Sequence, residues 1–400
     1  MPIAGQPEIA TTGQGQVNLN SATLGELSGI TYAGGDQYLV VSDTNSTLAP
    51  LTINIDPATG QITASSLGTP VTLAGVADLE GIAYDPRDAS VLIAAEADQS
   101  ITRFNPATTA NLGSVTVPAV YANARANFGL ESLSLDPVGL NLWTANEEAL
   151  NGDGPLSTAS SGSVVRLQRF DDQGVADHQI AYLTDAYPGD NLLANIPERS
   201  GVSDLLALPS GDLLVMERAL GGAIIPAFRN RIYLVDDENA TDTTNTPALQ
   251  GANYTPADKT QLIQVDAGFT NFEGIALGPR LDNGDYAVIL VSDDGGDPGT
   301  NPQALLSLRL SGIALPGDLT GDFNVDQDDI DLVLNRWGQD VTAGRWLSGD
   351  PSGNGQVGAE DLNIVLRGWT AEQEPVVNIP EPSCLATLLS GTIALTHRRR

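Results

Sequence analysis

Acidic residues stand at matching places along most of the chain. Glu80, Glu131 and Glu273 each open a short apolar run, EGIAY, ESLSL and EGIAL, and Glu96, Glu147, Glu217 and Asp293 each close the apolar run that follows. Carboxylates brought together repel one another unless a cation or an arginine lies among them, and an all-oxygen donor set suits Ca²⁺. In one reading, Glu80, Glu131 and Glu273 hold a metal that polarises an ester and acidifies bound water. Glu147 and Glu217 are then base or outer ligands, and Arg218 neutralises charge developing on the substrate. The competing reading is structural: a strand-opening glutamate can serve only the backbone of its neighbour, Asp293 and Asp294 can cap a turn, and Arg218 can pair with a nearby carboxylate.

Either chemistry needs elements that carry these residues to one place. The stretch DLEGIAYDPRDASVLIAAE, Asp78 to Glu96, reads as a strand, a turn at Asp85-Pro86 and a second strand. Altered copies begin at Ser28 (ending at Asp43), Glu131, Ser203 (ending at Glu217 and Arg218) and Glu273. The starts fall roughly 50 residues apart where no insertion intervenes, the period of a propeller blade. Ile101–Phe104 and Leu112–Val117 supply two further strands after the second copy, and Gln16–Leu19 is a candidate strand for closing the ring. The predicted fold is all-β, a β-propeller of about six four-stranded blades over residues 1–314. If the first strand of each blade lines the channel and the second returns antiparallel, the start of one and the end of the other share a mouth. That mouth then receives Glu80, Glu96, Glu131, Glu147, Ser203, Glu217, Glu273 and Asp293. Two insertions, Glu148–Gly162 and Thr184–Ser200, leave the repeat at the same end, as binding faces do.

Composition narrows the chemistry. A formal charge of -32 argues against nucleic acid or anionic lipid as a partner. The single cysteine, Cys384, excludes an internal disulfide and a thiol nucleophile in the repeats. With only His178 and His397, a serine–histidine triad is disfavoured, and zinc held by cysteine and histidine is excluded. Oxygen-ligated calcium remains.

Residues 315–371 change character. GDLTGDFNVDQDDIDLVLNRWG and SGDPSGNGQVGAEDLNIVLRGW are two copies of a polar loop followed by an apolar helix ending in tryptophan. Asp318, Thr320, Asp322, Asn324, Asp326 and Asp329 take positions 1, 3, 5, 7, 9 and 12 of a calcium loop. Asp350, Ser352, Asn354, Gln356 and Asp361 take 1, 3, 5, 7 and 12 of a second, less charged one. Ile330, Leu332, Val333, Ile364, Val365 and Leu366 are the expected core between the helices. The duplicated pair resembles a type I dockerin, which implies Ca²⁺ and a cohesin-like partner, or packing against its own chain. Residues 372–400 run from a Pro- and Glu-rich linker through IPEPSCLATLLSGTIALTHRRR. Pro-Glu-Pro, a short apolar run and three arginines resemble a PEP-CTERM sorting signal, processed by a membrane enzyme of the exosortase type. The start MPIAGQPEIATTG has no basic-then-apolar leader, so an upstream signal segment is expected.

The repeat region resembles the phytase-like propellers described as "esterase-like activity of phytase". The resemblance rests on SGITY (28–32), DLEGIAYDP (78–86), NFGLESLSLDP (127–137), GVSDLLALPSGDLLVMER (201–218), NFEGIALGP (271–279) and LVSDDGGDPGTNPQALLSL (290–308). Gly295 stands where relatives tend to have an asparagine, and Ser203 stands in place of a repeat glutamate. The Glu-Gly start is also similar to that of calcium-dependent lactonase propellers. These resemblances imply an exported, calcium-dependent hydrolase of small ester substrates, phosphate esters among them. The alternatives are a non-catalytic calcium-dependent surface propeller and a lactonase.

Overall fold

A computed structural model describes residues 6–19, 24–137, 141–187, 199–221, 227–296, 303–315, 317–341 and 346–369. Five antiparallel sheets follow one another along the chain, each ordered from channel to rim. Blade one comprises Leu27–Gly34, Gln37–Ser42, Thr47–Ile55 and Ile62–Leu67, and blade two Leu79–Asp85, Ser90–Ala95, Ser100–Phe104 and Asn111–Val115. Ser134–Leu135, Leu142–Ala145, Val164–Phe170 and Ala176–Leu183 form blade three. Blade four is Arg199–Ala207, Leu213–Gly221, Ala227–Asp236 and Asp258–Gly268. Blade five takes Asn271–Arg280, Tyr286–Asp293 and Ala304–Ser311 from the end of the propeller and its rim strand, Glu8–Thr11, from the start.

The propeller therefore has five blades, not about six. Each repeat read in the sequence is one blade. The N-terminal segment founds no further blade: Glu8–Thr11 pairs with Ala304–Ser311, and Val17–Asn18 bridges the same strand. The chain thus closes its ring by hydrogen bonding its two ends into one sheet. That arrangement leaves fewer unpaired edges.

The blades are held by apolar layers between successive sheets. Phe272, Leu290 and Leu308 of blade five pack with Leu214, Met216 and Ile232 of blade four, and Val291 and Leu305 pack with Leu27 and Val40 of blade one. Each such buried side chain contributes about 1.5–3 kcal/mol. At the centre the inner strands approach so closely that glycine is required. A Cβ on Gly29 would stand 2.3 Å from the Glu80 carbonyl oxygen, and one on Gly81 would stand 2.5 Å from the backbone of Leu133. The glycine of the Glu-Gly-Ile starts is a condition of the narrow ring.

After Ser311 the chain forms two loop–helix copies, with α1 at Gln327–Asn335 and α2 at Ala359–Gly368. Leu319, Val325, Val333, Val357 and Val365 are their buried core, with Ile330 and Leu332 packed against it. Leu366, expected in that core, is 50% exposed, because the apolar face of α2 passes through Leu362 and Val365 instead. Among the described residues no helix is long and apolar enough to cross a membrane. Residues 372–400, where a sorting signal is expected, lie outside the described residues.

Candidate functional site

The starts of the inner strands and the ends of the second strands meet at one mouth of the channel. The ladders pair Leu27 with Ser42, Leu79 with Ala95, Val202 with Glu217 and Phe272 with Ser292, and Leu130 bridges Asn146 in blade three. One residue further along the second strand the side chain turns inward. Those five positions are Asp43, Glu96, Glu147, Arg218 and Asp293. On the inner strands the register slips at Ser28, at Glu80-Gly81, at Ser203 and at Glu273. A bulge re-aims the residue it contains. This local irregularity lets glutamates in otherwise buried strands reach the channel.

The result is a cavity of about 330 Å³ lined by eight carboxylates, Asp43, Asp78, Glu80, Glu96, Glu131, Glu147, Glu273 and Asp293, and two guanidinium groups, Arg199 and Arg218. Buried Arg218 donates to both Glu147 and Glu273. Asn271 donates to Glu273 at 2.6 Å and to Asp293 at 3.3 Å. Across the cavity, Asp78, Glu80 and Glu96 present oxygens that all lie within 4.8 Å of one another. Glu96 accepts a hydrogen bond from the Gly129 N–H at 2.6 Å. Among the described residues no arginine or lysine forms an ion pair with these three.

Crowding and burial shift the acids upward. Burial pushes Glu96 up to about 7, against the Gly129 N–H and with help from the Asp78 and Glu147 charges. Burial takes Glu273 up to about 8 although Arg218 opposes it. Glu80 is raised well above the carboxylate range by burial and then by Glu273, Asp43 and Glu96, and Glu131 by burial and then by Glu80 and Glu147. Asp43 rises to about 6, through burial and the charges of Glu26 and Asp293.

The Asp78–Glu80–Glu96 side fits a calcium ion. Oxygens bound at 2.3–2.6 Å on opposite sides of Ca²⁺ lie about 4.6–5.2 Å apart, so one ion can reach all three. The donors are hard carboxylate oxygens, and a dication would relieve the repulsion that raises Glu80 and Glu96.

Of the sequence candidates, Glu80, Glu131, Glu147, Arg218 and Glu273 share this cavity. Glu217 does not, because it pairs directly with Val202 and so faces the other side of its strand. It lies buried, accepting from the Tyr182 hydroxyl at 2.6 Å, Lys259 Nζ at 2.6 Å and the Asp185 N–H at 2.9 Å. These bonds fix the start of the second insertion to blade four. Ser203 is also absent from the cavity; its hydroxyl reaches the Met216 carbonyl at 3.4 Å. Of the paired aspartates, Asp293 lines the mouth, while Asp294 accepts from the Glu26 and Gly296 N–H groups and ties blade five to blade one.

Sequence reasoning did not assign Asp43, Asp78, Asn127, Arg199 and Asn271 to the site. Asp43 closes its strand as Glu96 does, and that likeness was a usable signal. Arg199 lies at the end of the second insertion, Thr184–Ser200, whose exit at the mouth was its only signal, and it opens the inner strand of blade four.

In the C-terminal loops the residues at positions 1 and 12 are already organised. Asp318 accepts from the Gly321 and Phe323 N–H groups, and Asp329 from those of Leu319, Thr320 and Asp326. Asp350 and Asp361 repeat the pattern with Gly353, Gly355, Ser352 and Gly358. Of the intervening candidates, Thr320 donates to Asp318 at 3.4 Å and Ser352 to Asp350 at 3.0 Å. The side chain of Asp326 caps α1 through the Asp328 N–H. Asp322 and Asn324 are exposed, as are Asn354 and the opening of α2. Gln356 donates to Asp340 at 3.5 Å. Burial pushes Asp318 up to about 6, with Arg280 opposing.

The family model of phytase-like proteins, described as esterase-like activity of phytase, matches residues 22–296. The chain belongs to this family. Among curated proteins no match was found. Similar solved structures include a luciferin-regenerating enzyme, 13% identical with a TM-score of 0.35, covering 75% of this chain and 96% of that one. Another is an aldose sugar dehydrogenase from Streptomyces coelicolor in its PQQ-bound form, 14% identical with a TM-score of 0.36, covering 77% and 99%. A calcium-binding regucalcin from Agrobacterium tumefaciens is 11% identical with a TM-score of 0.37, covering 75% and 95%. Likenesses of this degree carry no argument about the chemistry at the mouth.

Proposed function

We propose that the protein is an exported, calcium-dependent ester hydrolase acting at the acidic mouth of the propeller on small esters, phosphate esters among them. The observation that carries the reading is the division of the mouth: Arg218 is committed to Glu147 and Glu273, while Asp78, Glu80 and Glu96 converge without an ion-paired arginine or lysine. Calcium held there would supply a Lewis acid for the ester oxygen and acidify bound water. The chain's own residues have separate tasks. Glu131, raised well above the carboxylate range by burial and by its acidic neighbours, is the group suited to give a proton to a departing alkoxide. Arg199, the guanidinium lining the cavity outside the Arg218 pairing, orients an anionic substrate that a protein of net charge -32 would otherwise repel. The C-terminal loops we read as a dockerin-like calcium module and residues 372–400 as the sorting signal. Their partners would be a cohesin-like protein and an exosortase-type membrane enzyme.

The experiment is a screen of the purified full chain against phosphate monoesters, carboxylic esters and lactones, in CaCl₂ and in EGTA. Turnover of one ester class that is lost in chelator and restored by Ca²⁺ supports the proposal. Ca²⁺ uptake without turnover on any class favours the non-catalytic binding propeller, and turnover indifferent to chelator contradicts the calcium dependence.

A further inference from the structure

We propose that the first loop of the C-terminal module is a calcium-sensitive latch on blade five: Arg280 and Ca²⁺ compete for Asp318, so docking weakens calcium binding in that loop and calcium loosens the dock. The latch presupposes that the C-terminal loops are a calcium module. The first loop fits the ion, since Asp318, Asp322, Asp326 and Asp329 offer it hard oxygen donors. Asp318 and Asp329, both buried, are held at its two ends by N–H groups of the loop itself.

Blade five holds this loop through side chains at the far end of its inner strands. The guanidinium of Arg280, the last residue of the innermost strand, lies 4.2 Å from the Trp346 ring centroid, and its Nη1 stands 3.5 Å from Asp318 Oδ1. Tyr286, which opens the next strand, stacks on Phe323 of the loop at 4.8 Å, and Phe323 joins the apolar cluster of blades four and five. The backbone N–H of Trp346 donates to the Asp282 carbonyl at 3.4 Å. Gly321, with φ 84°, passes so near that a Cβ there would stand 3.0 Å from the Arg280 side chain.

Arg280 and Asp318 are 6% and 0% exposed, and a buried ion pair is balanced only while each charge keeps the other. Calcium at Asp318 would set a dication beside a buried guanidinium, and one carboxylate cannot neutralise both. In surroundings of low polarity the two cations repel strongly. The oxygens of Asp318 are also in use: Oδ1 accepts the Gly321 N–H at 2.6 Å and Oδ2 the Phe323 N–H at 3.0 Å. To serve calcium, Asp318 has to give up part of its hold on Arg280. Coupling of this kind is reciprocal, so the factor by which the dock lowers calcium affinity is the factor by which calcium weakens the dock.

The test uses the full chain carrying isotope-labelled glycine and fluorotryptophan, titrated with CaCl₂ and followed by NMR. The Gly321 amide reports calcium in the first loop, and the Trp346 fluorine, assigned with Trp346→Phe, reports the dock. In the parent both signals should move with one midpoint, the Trp346 signal towards the one it gives in Arg280→Met. Arg280→Met should lower the calcium midpoint at Gly321 by about fivefold or more, and Arg280→Lys, which keeps the charge, by less. Trp346→Leu, which loosens the dock without touching either charge, should lower it as well. The latch is overturned if calcium moves Gly321 but leaves Trp346 still, or if folded Arg280→Met and Trp346→Leu take up calcium in the first loop as the parent does. A Gly321 amide that calcium does not move overturns the latch together with the calcium module it presupposes. The responses of Gly321 and Trp346 are read on the unsubstituted protein, so they stand even where Arg280→Met does not fold.

Discussion

Calcium binding at the acidic mouth should be strongly linked to proton release, and the size of the linkage follows from the acids there. Glu96 sits at about 7, so it is mostly protonated at pH 6 and mostly ionised at pH 8. A ligand that must lose its proton to bind the metal weakens the observed affinity by the factor (1 + 10^(pKa−pH)). For Glu96 alone that factor falls from about 11 at pH 6 to about 1.1 at pH 8, a gain of about tenfold in affinity. Glu80, raised well above the carboxylate range by burial and by the neighbouring carboxylates, adds to the linkage in the same direction. The sign is fixed: raised acids hold protons that calcium has to displace, so affinity climbs with pH. Calorimetry at pH 6, 7 and 8, in pairs of buffers differing in ionisation enthalpy, counts the protons released. Subtracting the same series for Glu80→Gln separates the mouth from the C-terminal loops, where Asp318 at about 6 also titrates. A difference affinity that changes by less than about threefold between pH 6 and pH 8 would refute the reasoning, since even Glu96 alone requires more.

Three other outcomes follow from the structure. Glu217→Gln should destabilise the fold by about 1–3 kcal/mol in denaturant titrations, because it weakens the buried bonds to Tyr182 and Lys259, while leaving calcium affinity at the mouth unchanged. Asp204→Ala should cost about 2–4 kcal/mol by the same assay, since Asp204 accepts the N–H groups of Leu205 and of Ile275 in the next blade at 2.8 Å and so ties blade four to blade five. Asp318→Asn should lower the calcium response of the C-terminal helices and also loosen their contact with blade five, seen as a changed Trp346 fluorescence, whereas Asp350→Asn should affect calcium alone.

Much of the fold was legible because the repeat states it five times, from Ser28 to Glu273, and each copy became a blade. The blade count was misjudged for a topological reason. Glu8–Thr11 is too short and too polar to announce itself, and whether it founds a blade or completes one is decided by pairing with Ala304–Ser311, nearly the whole chain away. The mouth was legible through Glu80, Glu131 and Glu273, whose position before a close-packed Gly or Ser recurs. Glu217 was misplaced because side chains alternate along a strand and the end of the run LLVMER does not show its register. The inward position belongs to Arg218, which pairs with Gly201, two residues before the bulge at Ser203. Asp78 went unassigned because its side chain reaches the mouth through a left-handed backbone, φ 62°, which a sequence pattern does not reveal.

The central claim is that Asp78, Glu80 and Glu96 hold a metal on which hydrolysis depends. Glu80→Gln, measured in one preparation for calcium affinity by calorimetry and for hydrolysis of the ester class found in the screen, tests it most directly. Joint loss, in the variant, of calcium uptake at the mouth and of turnover, with the melting transition preserved, is the predicted result. Full turnover in a variant that no longer takes up calcium at the mouth, or unchanged affinity and turnover together, would contradict the account and make Glu80 a structural residue of its bulge.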